Sequence, residues 1–190
     1  AEIGQHAVAH ELGDVPLQPG GQDGVTRLRP ALSQILDVPG IEPGQQPVDA
    51  LLQPGLALIA PGDYHMTLAW AGTGYKVSLN QKPPVHHCRP AVDVMFRSIA
   101  ECPGARVVAA ILTGMGSDGA MGMKTLKSLG AHTIAQDEST CVVYGMPRAA
   151  VELGVVDQIL PISQIAAALI NSAQTQATSS VSNRPLTSNL

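Results

Sequence analysis

Two neighbouring segments of the chain alternate between apolar and polar residues with a period of two. They are Thr67–Trp70 and Tyr75–Leu79, and Gly72-Thr-Gly74 lies between them. Alternation of this kind favours strands that are buried on one face, and a short glycine-bearing connection favours an antiparallel turn. The pattern therefore predicts a small β-hairpin.

Elsewhere between residues 55 and 170, apolar runs of strand length alternate with segments of helical spacing. Residues 120–129 are predicted to form a helix with Met121, Leu126 and Leu129 on its apolar face, ended by Gly130. The other predicted elements are strands at Leu56–Ala60, Arg106–Leu112, His132–Ala135 and Val155–Leu160, and helices beginning near Pro90, Pro147 and Ser163. In the helix after Pro90, the apolar residues that recur at helical spacing are Val92, Met95, Phe96 and Ile99. This order predicts an α/β fold with a parallel sheet flanked by helices.

The two ends of the chain differ in character from this middle part. Residues 1–54 are rich in Gly, Pro and Gln and lack sustained periodicity, so an irregular N-terminal segment is expected. Residues 171–190 are rich in Ser, Thr, Gln and Asn and have no apolar face, so a disordered tail is expected. The predicted organisation is one α/β domain over residues 55–170 between two less ordered ends.

Composition excludes several classes of function. The net charge of −4 and the lack of basic clusters argue against nucleic-acid binding. No apolar stretch approaches 18 residues and no leader pattern is visible, so membrane insertion and secretion are not expected. Three widely spaced cysteines indicate reduced thiols, hence a cytoplasmic protein. Adjacent His86 and His87 make a poor metal pair, so neither a metal site nor a cofactor is predicted.

The loop Thr113-Gly-Met-Gly-Ser-Asp118-Gly119 has the strongest chemical signal, because it follows a predicted buried strand and precedes a helix. One interpretation makes Asp118 the N-cap of that helix. In a second, Gly114, Gly116 and Gly119 form a dinucleotide fingerprint with Asp137 downstream, although a carboxylate beside a pyrophosphate argues against it. In a third, Asp118 is a buried carboxylate that orients a histidine in a hydrolase.

Five passages of this sequence resemble the protein-glutamate methylesterases of bacterial chemotaxis, the CheB family, in order and in spacing. They are Leu58-Ile-Ala-Pro-Gly-Asp-Tyr-His-Met66, His87-Cys-Arg-Pro-Ala-Val-Asp-Val-Met-Phe96, Ile111-Leu-Thr-Gly-Met-Gly-Ser-Asp-Gly-Ala120, Gly130-Ala-His-Thr-Ile-Ala-Gln-Asp-Glu-Ser139 and Cys141-Val-Val-Tyr-Gly-Met-Pro-Arg148. The resemblance implies a Rossmann-like catalytic domain. It also implies a monomeric enzyme without cofactors that hydrolyses glutamate γ-methyl esters, and deamidates glutamines, on the helices of methyl-accepting chemotaxis receptors.

The resemblance also assigns individual residues. Asp118 aligns with the aspartate of the family's Ser-His-Asp triad, where it would hold the imidazole in one tautomer. Thr113, Gly114, Met115 and Gly116 would line the cleft. Arg89 would lie at its edge and assist the binding of acidic receptor helices.

The family's nucleophilic serine lies in a Gly-x-Ser-Thr-Gly-Gly turn, which this sequence does not contain, and its first serine is Ser33. The family's histidine lies in a Gln-His-Met block, of which Gln5-His6 is only a faint echo, so His6 is a weak candidate for the base. We therefore expect an incomplete catalytic domain with little or no hydrolysis of methylated receptors. The alternatives are an inactive remnant that retains a receptor-binding surface, and the dinucleotide-binding module.

Overall fold

The main sheet has three parallel strands and one antiparallel strand. A computed structural model describes residues 7–9, 50–52 and 58–179. The strands are β1 (Ala7–Ala9), β5 (Val108–Ile111), β6 (His132–Gln136) and β7 (Gln158–Leu160). They lie in the order β1-β5-β6-β7, in which β5, β6 and β7 run parallel and β1 pairs antiparallel with β5.

A second, antiparallel sheet contains the predicted hairpin. Its order is β2-β4-β3, and β3 pairs with β4 from His65 opposite Asn80 to Trp70 opposite Tyr75. The hairpin prediction is therefore confirmed. The strands of this sheet are β2 (Ala50–Leu51), β3 (His65–Trp70) and β4 (Tyr75–Asn80).

Helices cover both faces of the main sheet because β5 is apolar on both faces. Ala109 and Ile111 belong to the core cluster that also contains Phe96 and Met123, whereas Val108 and Ala110 face a second cluster. Burial on both faces explains why the sequence is a continuous apolar run rather than an alternation. The helices are α1 (Val92–Ala100), α2 (Ala120–Ser128), α3 (Met146–Glu152) and α4 (Ile162–Ser179), with a short 3-10 helix at Glu138–Thr140.

Helix α1 connects the two sheets. Its predicted apolar face is confirmed, since Val92, Met95, Phe96 and Ile99 are all buried. The hairpin packs on the same helix, and the backbone N–H of Leu68 donates to the Ser98 hydroxyl at 2.9 Å. Complete burial of an aromatic side chain such as Phe96 stabilises the fold by about 2–3 kcal/mol. Helix α1 is thus packed against both the hairpin and the core of the main sheet.

Three predictions about individual elements were wrong. Met121 in α2 and Leu129 directly after it are exposed, and the buried face is formed instead by Ala120, Gly122, Met123 and Leu126. Leu58, Ile59 and Ala60 are not in a strand, and the rest of that predicted strand lies outside the described residues.

The C-terminal helix is also longer than predicted. Helix α4 continues to Ser179, into the segment that composition predicted to be disordered. Polar residues are compatible with a helix here because Ile165 and Leu169 anchor its first half against β5 and β6.

The α/β architecture with a parallel sheet, flanking helices and an antiparallel hairpin is the predicted one. Among the helices that the structure describes, none combines the length and apolarity needed to cross a lipid bilayer.

Candidate functional site

The Asp118 side chain lies in the loop after β5 and is only 1% exposed. Its Oδ2 accepts the backbone N–H of Val92 at 2.7 Å, and its Oδ1 accepts that of Asp93 at 3.0 Å. The N-cap of the following helix, α2, is Gly119, which has no side chain of its own to cap it. The interpretation of Asp118 as the cap of its own helix is therefore wrong, because the carboxylate caps α1 instead.

Asp93 is fully buried and makes the reciprocal contact. Its Oδ1 accepts the backbone N–H of Gly122, in the first turn of α2, at 2.6 Å. A side chain at residue 122 would bring a Cβ within 2.6 Å of the Phe96 Cβ and 3.0 Å of Asp93 Oδ1, so only glycine allows this approach. Each helix thus receives a carboxylate from the other's segment, and the positive N-terminal ends of both helices stabilise the two negative charges.

His86 contacts the Asp93 carboxylate from the solvent side. Its Nε2 lies 3.1 Å from Asp93 Oδ2, and the Arg97 guanidinium approaches the same oxygen at 3.4 Å. His86 and His87 both have positive φ, in a tight turn closed by two hydrogen bonds between Val85 and Cys88. Sequence reasoning missed this contact because neither residue is the Asn or Gly that usually marks such a turn.

The ligand atoms of His86, Asp93 and Asp118 lie within 4.8 Å of one another, close enough for a shared cation. Three of the four carboxylate oxygens, however, already accept backbone N–H groups at helix N-termini. Helix N-termini carry partial positive charge, which favours anions and disfavours a cation nearby. The arrangement is typical of helix capping, and the absence of a metal site stays a prediction.

His65 also supports the start of α1. Its ring is buried, Nδ1 accepts the backbone N–H of Ala91 at 3.2 Å, and Nε2 lies 3.2 Å from the carbonyl oxygen of Pro83. These two contacts require a neutral ring with the proton on Nε2, which donates to Pro83. The N–H groups of residues 91, 92 and 93 are thus all satisfied by side chains that lie far away in the sequence.

Arg89 is committed to contacts within the protein. Its Nη1 donates to the carbonyl oxygens of Gln81 and Lys82, both at 3.0 Å, and its Nε donates to Asp63 Oδ1 at 3.1 Å. The hydrogen bond from Arg89 holds the pKa of the Asp63 carboxyl below its usual value. Arg89 therefore fixes the segment before α1, and its role at the cleft edge stays a prediction.

Thr113 and Gly114 join the loop after β5 to the loop after β6. The Thr113 hydroxyl donates to the carbonyl of Val143 at 3.1 Å and accepts its N–H at 2.8 Å. The carbonyl of Gly114 accepts the N–H groups of Gly145 and Met146 at 3.1 and 2.8 Å. The polar atoms of Thr113 are thus used to brace the two loops.

Met115 and Gly116 have a different environment. Both are exposed, and Gly116 has a φ of +87°, which places it in the left-handed region where glycine is favoured. These two residues face solvent at the edge where the parallel strands end, and Asp118 is the buried charge of the same loop. The predicted cleft residues therefore fall into a bracing pair and an exposed pair.

The dinucleotide-binding interpretation requires free backbone N–H groups at the start of α2, and it conflicts with the contacts found there. The first turn of α2 already donates the Gly122 N–H to the Asp93 carboxylate, and Asp118 is buried directly before the helix. Asp137 caps the 3-10 helix by accepting the N–H of Thr140 at 3.0 Å. Hydrogen bonding from Thr140 keeps the pKa of Asp137 low. A pyrophosphate would meet negative charge here instead of bare N–H groups.

The cysteines of the described residues form no disulfide bonds. Burial raises the pKa of Cys141 to about 11 and also raises the pKa of Cys102. Since a thiol attacks only as its thiolate, Cys141 is not an activated nucleophile at neutral pH. His6 and Ser33 lie outside the described residues.

Comparison with known proteins assigns the chain to a family. A sequence model described as CheB methylesterase matches residues 32–169. The match begins upstream of residue 55, where the predicted α/β domain starts.

Individual relatives agree with this family match. A protein-glutamate methylesterase/protein-glutamine glutaminase of Pseudomonas aeruginosa is 55% identical over 120 residues, which are 63% of this chain and 34% of that protein. The corresponding protein of Bdellovibrio bacteriovorus is 50% identical over 123 residues, 65% of this chain and 35% of its own length. The chain thus spans about a third of the length of these curated relatives.

A solved structure has the same fold. The crystal structure of the Thermotoga maritima CheB methylesterase catalytic domain superposes with a TM-score of 0.62 at 31% identity. The superposition covers 73% of this chain and 75% of that domain.

Proposed function

The chain belongs to the CheB methylesterase family, and from this premise we propose that it carries the aspartate-bearing part of a methylesterase active site. The reaction is hydrolysis of glutamate γ-methyl esters, together with deamidation of glutamines, on methyl-accepting chemotaxis receptors in the cytoplasm. The names of the relatives, protein-glutamate methylesterase/protein-glutamine glutaminase, support both reactions. The chain is expected to act as a monomer without a cofactor.

The buried carboxylate of Asp118 carries this proposal. In a Ser-His-Asp triad the aspartate is buried, fixes the tautomer of the histidine and stabilises the imidazolium that forms. Two backbone N–H groups hold the Asp118 carboxylate in one orientation. A carboxylate oxygen that accepts one N–H still has capacity for a second. Asp118 is therefore able to accept an imidazole N–H without giving up the hydrogen bonds that cap α1.

The lack of the family's serine turn limits the catalytic activity that this chain has by itself. The sequence contains no Gly-x-Ser-Thr-Gly-Gly turn, so no activated serine of the family type is available to form an acyl-enzyme. We expect the chain alone to release methanol from methylated receptors no faster than the uncatalysed background. It would still bind receptor and complete a triad when serine and histidine are supplied by another polypeptide.

Fragment complementation tests the proposal. Methanol release from methylated receptor membranes is measured with this chain, with a fragment of a relative that contains the serine turn and the Gln-His-Met block, and with both together. We expect release only from the mixture, and we expect Asp118→Ala in this chain to abolish it. A matched mixture in which the fragment's serine is replaced by alanine should be inactive.

Two results contradict the proposal. Full activity of the mixture with Asp118→Ala would remove Asp118 from the triad. Methanol release by this chain alone, lost on Asp118→Ala, would show that a nucleophile exists elsewhere in this sequence. If the mixture stays inactive while the chain binds receptor membranes, the chain is the non-catalytic receptor-binding remnant.

A further inference from the structure

Two large apolar side chains project into solvent beside the candidate site. Val142 is 86% exposed in the loop after β6, and Met115 is 68% exposed in the loop after β5. Both loops lie where parallel strands end, which is the edge that carries Asp118. We call these two side chains the apolar rim. Their exposure is costly in water, since each would be stabilised by burial against a partner.

The backbone that carries the apolar rim is firmly held. Gln136 is buried, and its side chain accepts the N–H of Thr113 and donates to the carbonyl of Thr140, both at 2.8 Å. The N–H of Gly114 donates to the carbonyl of Val143 at 3.1 Å. A loop braced from both sides is unable to fold its apolar side chains back onto the protein at low cost. The exposure of the rim is therefore built into the fold.

To select its substrate, a methylesterase needs contacts with residues around the side chain that it modifies. The relatives are named for acting on glutamate and glutamine residues of proteins, and these side chains occur on nearly every protein surface. Selectivity must therefore come from the residues that flank the modified side chain. On a helix, those that share its face lie three or four positions away, and apolar ones fit an apolar contact surface. Methionine adapts to partners of different shape, which suits several modification sites.

We propose that Met115 and Val142 bind apolar side chains of the receptor helix that presents the substrate residue. The proposal rests on the proposed function and extends it to the contacts that select the substrate. The apolar rim would contact the receptor helix on the same side of the site as Asp118. The side chain to be modified would then enter the cleft. Binding of the helix would remove both rim side chains from water and so contribute directly to affinity.

Leu129 provides a matched control. It is 64% exposed, nearly as much as Met115. It follows the C-terminal end of α2, close to the point where His132 N donates to the carbonyl of Val107 before β5. Leu129 thus lies at the opposite edge of the sheet, where strands begin. A general effect of exposed apolar residues on binding would involve Leu129 equally.

The experiment measures the affinity of the full chain for membranes that contain a methylated chemotaxis receptor, by co-sedimentation, so no turnover is required. Val142→Asp and Met115→Asp are each expected to weaken binding about tenfold, as is typical when a charge replaces an apolar contact residue. Leu129→Asp should stay within about twofold of the wild type. Val142→Thr keeps the shape of the side chain, is expected to preserve the fold, and should weaken binding about threefold.

The outcomes separate the inference from the proposed function. Wild-type affinity of Val142→Asp, Val142→Thr and Met115→Asp would overturn the inference and leave the proposed function standing. Equal weakening by Leu129→Asp would also overturn it, because binding would then not depend on this edge of the sheet. Failure of the wild-type chain to bind receptor membranes would overturn both.

Discussion

The Asp118 carboxylate accepts the backbone N–H of Val92 at 2.7 Å, so a loop residue caps a helix that begins 26 residues earlier in the chain. The same carboxylate accepts the N–H of Asp93. A side chain that closes a helix in this way has little freedom to rotate, which is the property that a triad aspartate needs. The structural and the proposed catalytic role of Asp118 therefore depend on the same two hydrogen bonds.

Asp118→Asn should destabilise the protein even though the two side chains have nearly the same shape. The amide offers one oxygen and turns an NH₂ group toward the second buried N–H, which loses its acceptor. We expect a loss of about 2–4 kcal/mol in the free energy of unfolding, measured by urea denaturation. Asp137→Asn is the control and should cost less than about 1 kcal/mol, because this half-buried residue caps only a short 3-10 helix. Equal losses in the two variants would contradict the special role of Asp118.

His65→Phe should destabilise the junction between the hairpin and α1. The substitution keeps an aromatic ring but removes the acceptor for Ala91 N–H and the donor to the Pro83 carbonyl. Two buried polar groups without partners predict a loss of about 2–3 kcal/mol in urea unfolding. His87→Phe, at an exposed position, should change stability by less than about 0.5 kcal/mol. A tautomer with the proton on Nδ1 of His65, observed by nitrogen NMR, would contradict the assignment.

Gly145→Ala should separate the two braced loops. A Cβ at this position would lie 2.6 Å from the carbonyl oxygen of Gly114 and 2.9 Å from the N of Gly116, and both are backbone atoms that yield only if the loop moves. We expect a loss of about 1–3 kcal/mol in the free energy of unfolding. Gly62→Ala is the control, since nothing lies within 4 Å of its Cβ position. A stable Gly145→Ala protein with unchanged receptor binding would show that the close approach is dispensable.

Asp157 should make stability depend on pH in the acid range. Burial alone raises its pKa, but hydrogen bonds from Lys127 and Thr133 outweigh that effect and leave the pKa below the usual 3.8. A carboxyl whose pKa is lowered on folding stabilises the protein above its unfolded pKa and loses this contribution as pH falls through the folded value. The stability that wild type gains over Asp157→Asn through this carboxylate should therefore be fully present at about pH 5. It should shrink below pH 4, and a difference that grows toward low pH would contradict this sign.

The sequence predicted those elements whose pattern follows from local periodicity. The hairpin from His65 to Asn80 and the buried face of α1 from Val92 to Ile99 are examples, because alternation and helical spacing report directly on which side faces the core. Helix α2 shows the limit. Its face was misassigned because Gly122, which has no apolar side chain, occupies the closest contact with α1.

The candidate site was predictable as a position but not as a set of contacts. Three glycines and an aspartate after a buried strand pointed to the loop that carries the buried Asp118 carboxylate, and resemblance to a family selected Asp118 within it. The partners of Asp118 are backbone N–H groups of another helix. Nearly every residue has such a group, so the sequence does not reveal which of them bind Asp118. His86 was missed for a related reason, since its approach to Asp93 depends on left-handed backbone at two residues that do not normally adopt it.

The external capping of α1 has a consequence for the order in which the chain matures. A ribosome releases residues 92–100 before it releases Asp118, so the nascent helix has no acceptor for two of its first N–H groups until synthesis has passed the end of β5. An isolated nine-residue helix is only marginally stable in water. Helix α1, His65 and the segment through Gly122 must therefore settle as a single cooperative unit once all of them have emerged, and a chain that stops short of residue 118 would leave this unit unfinished.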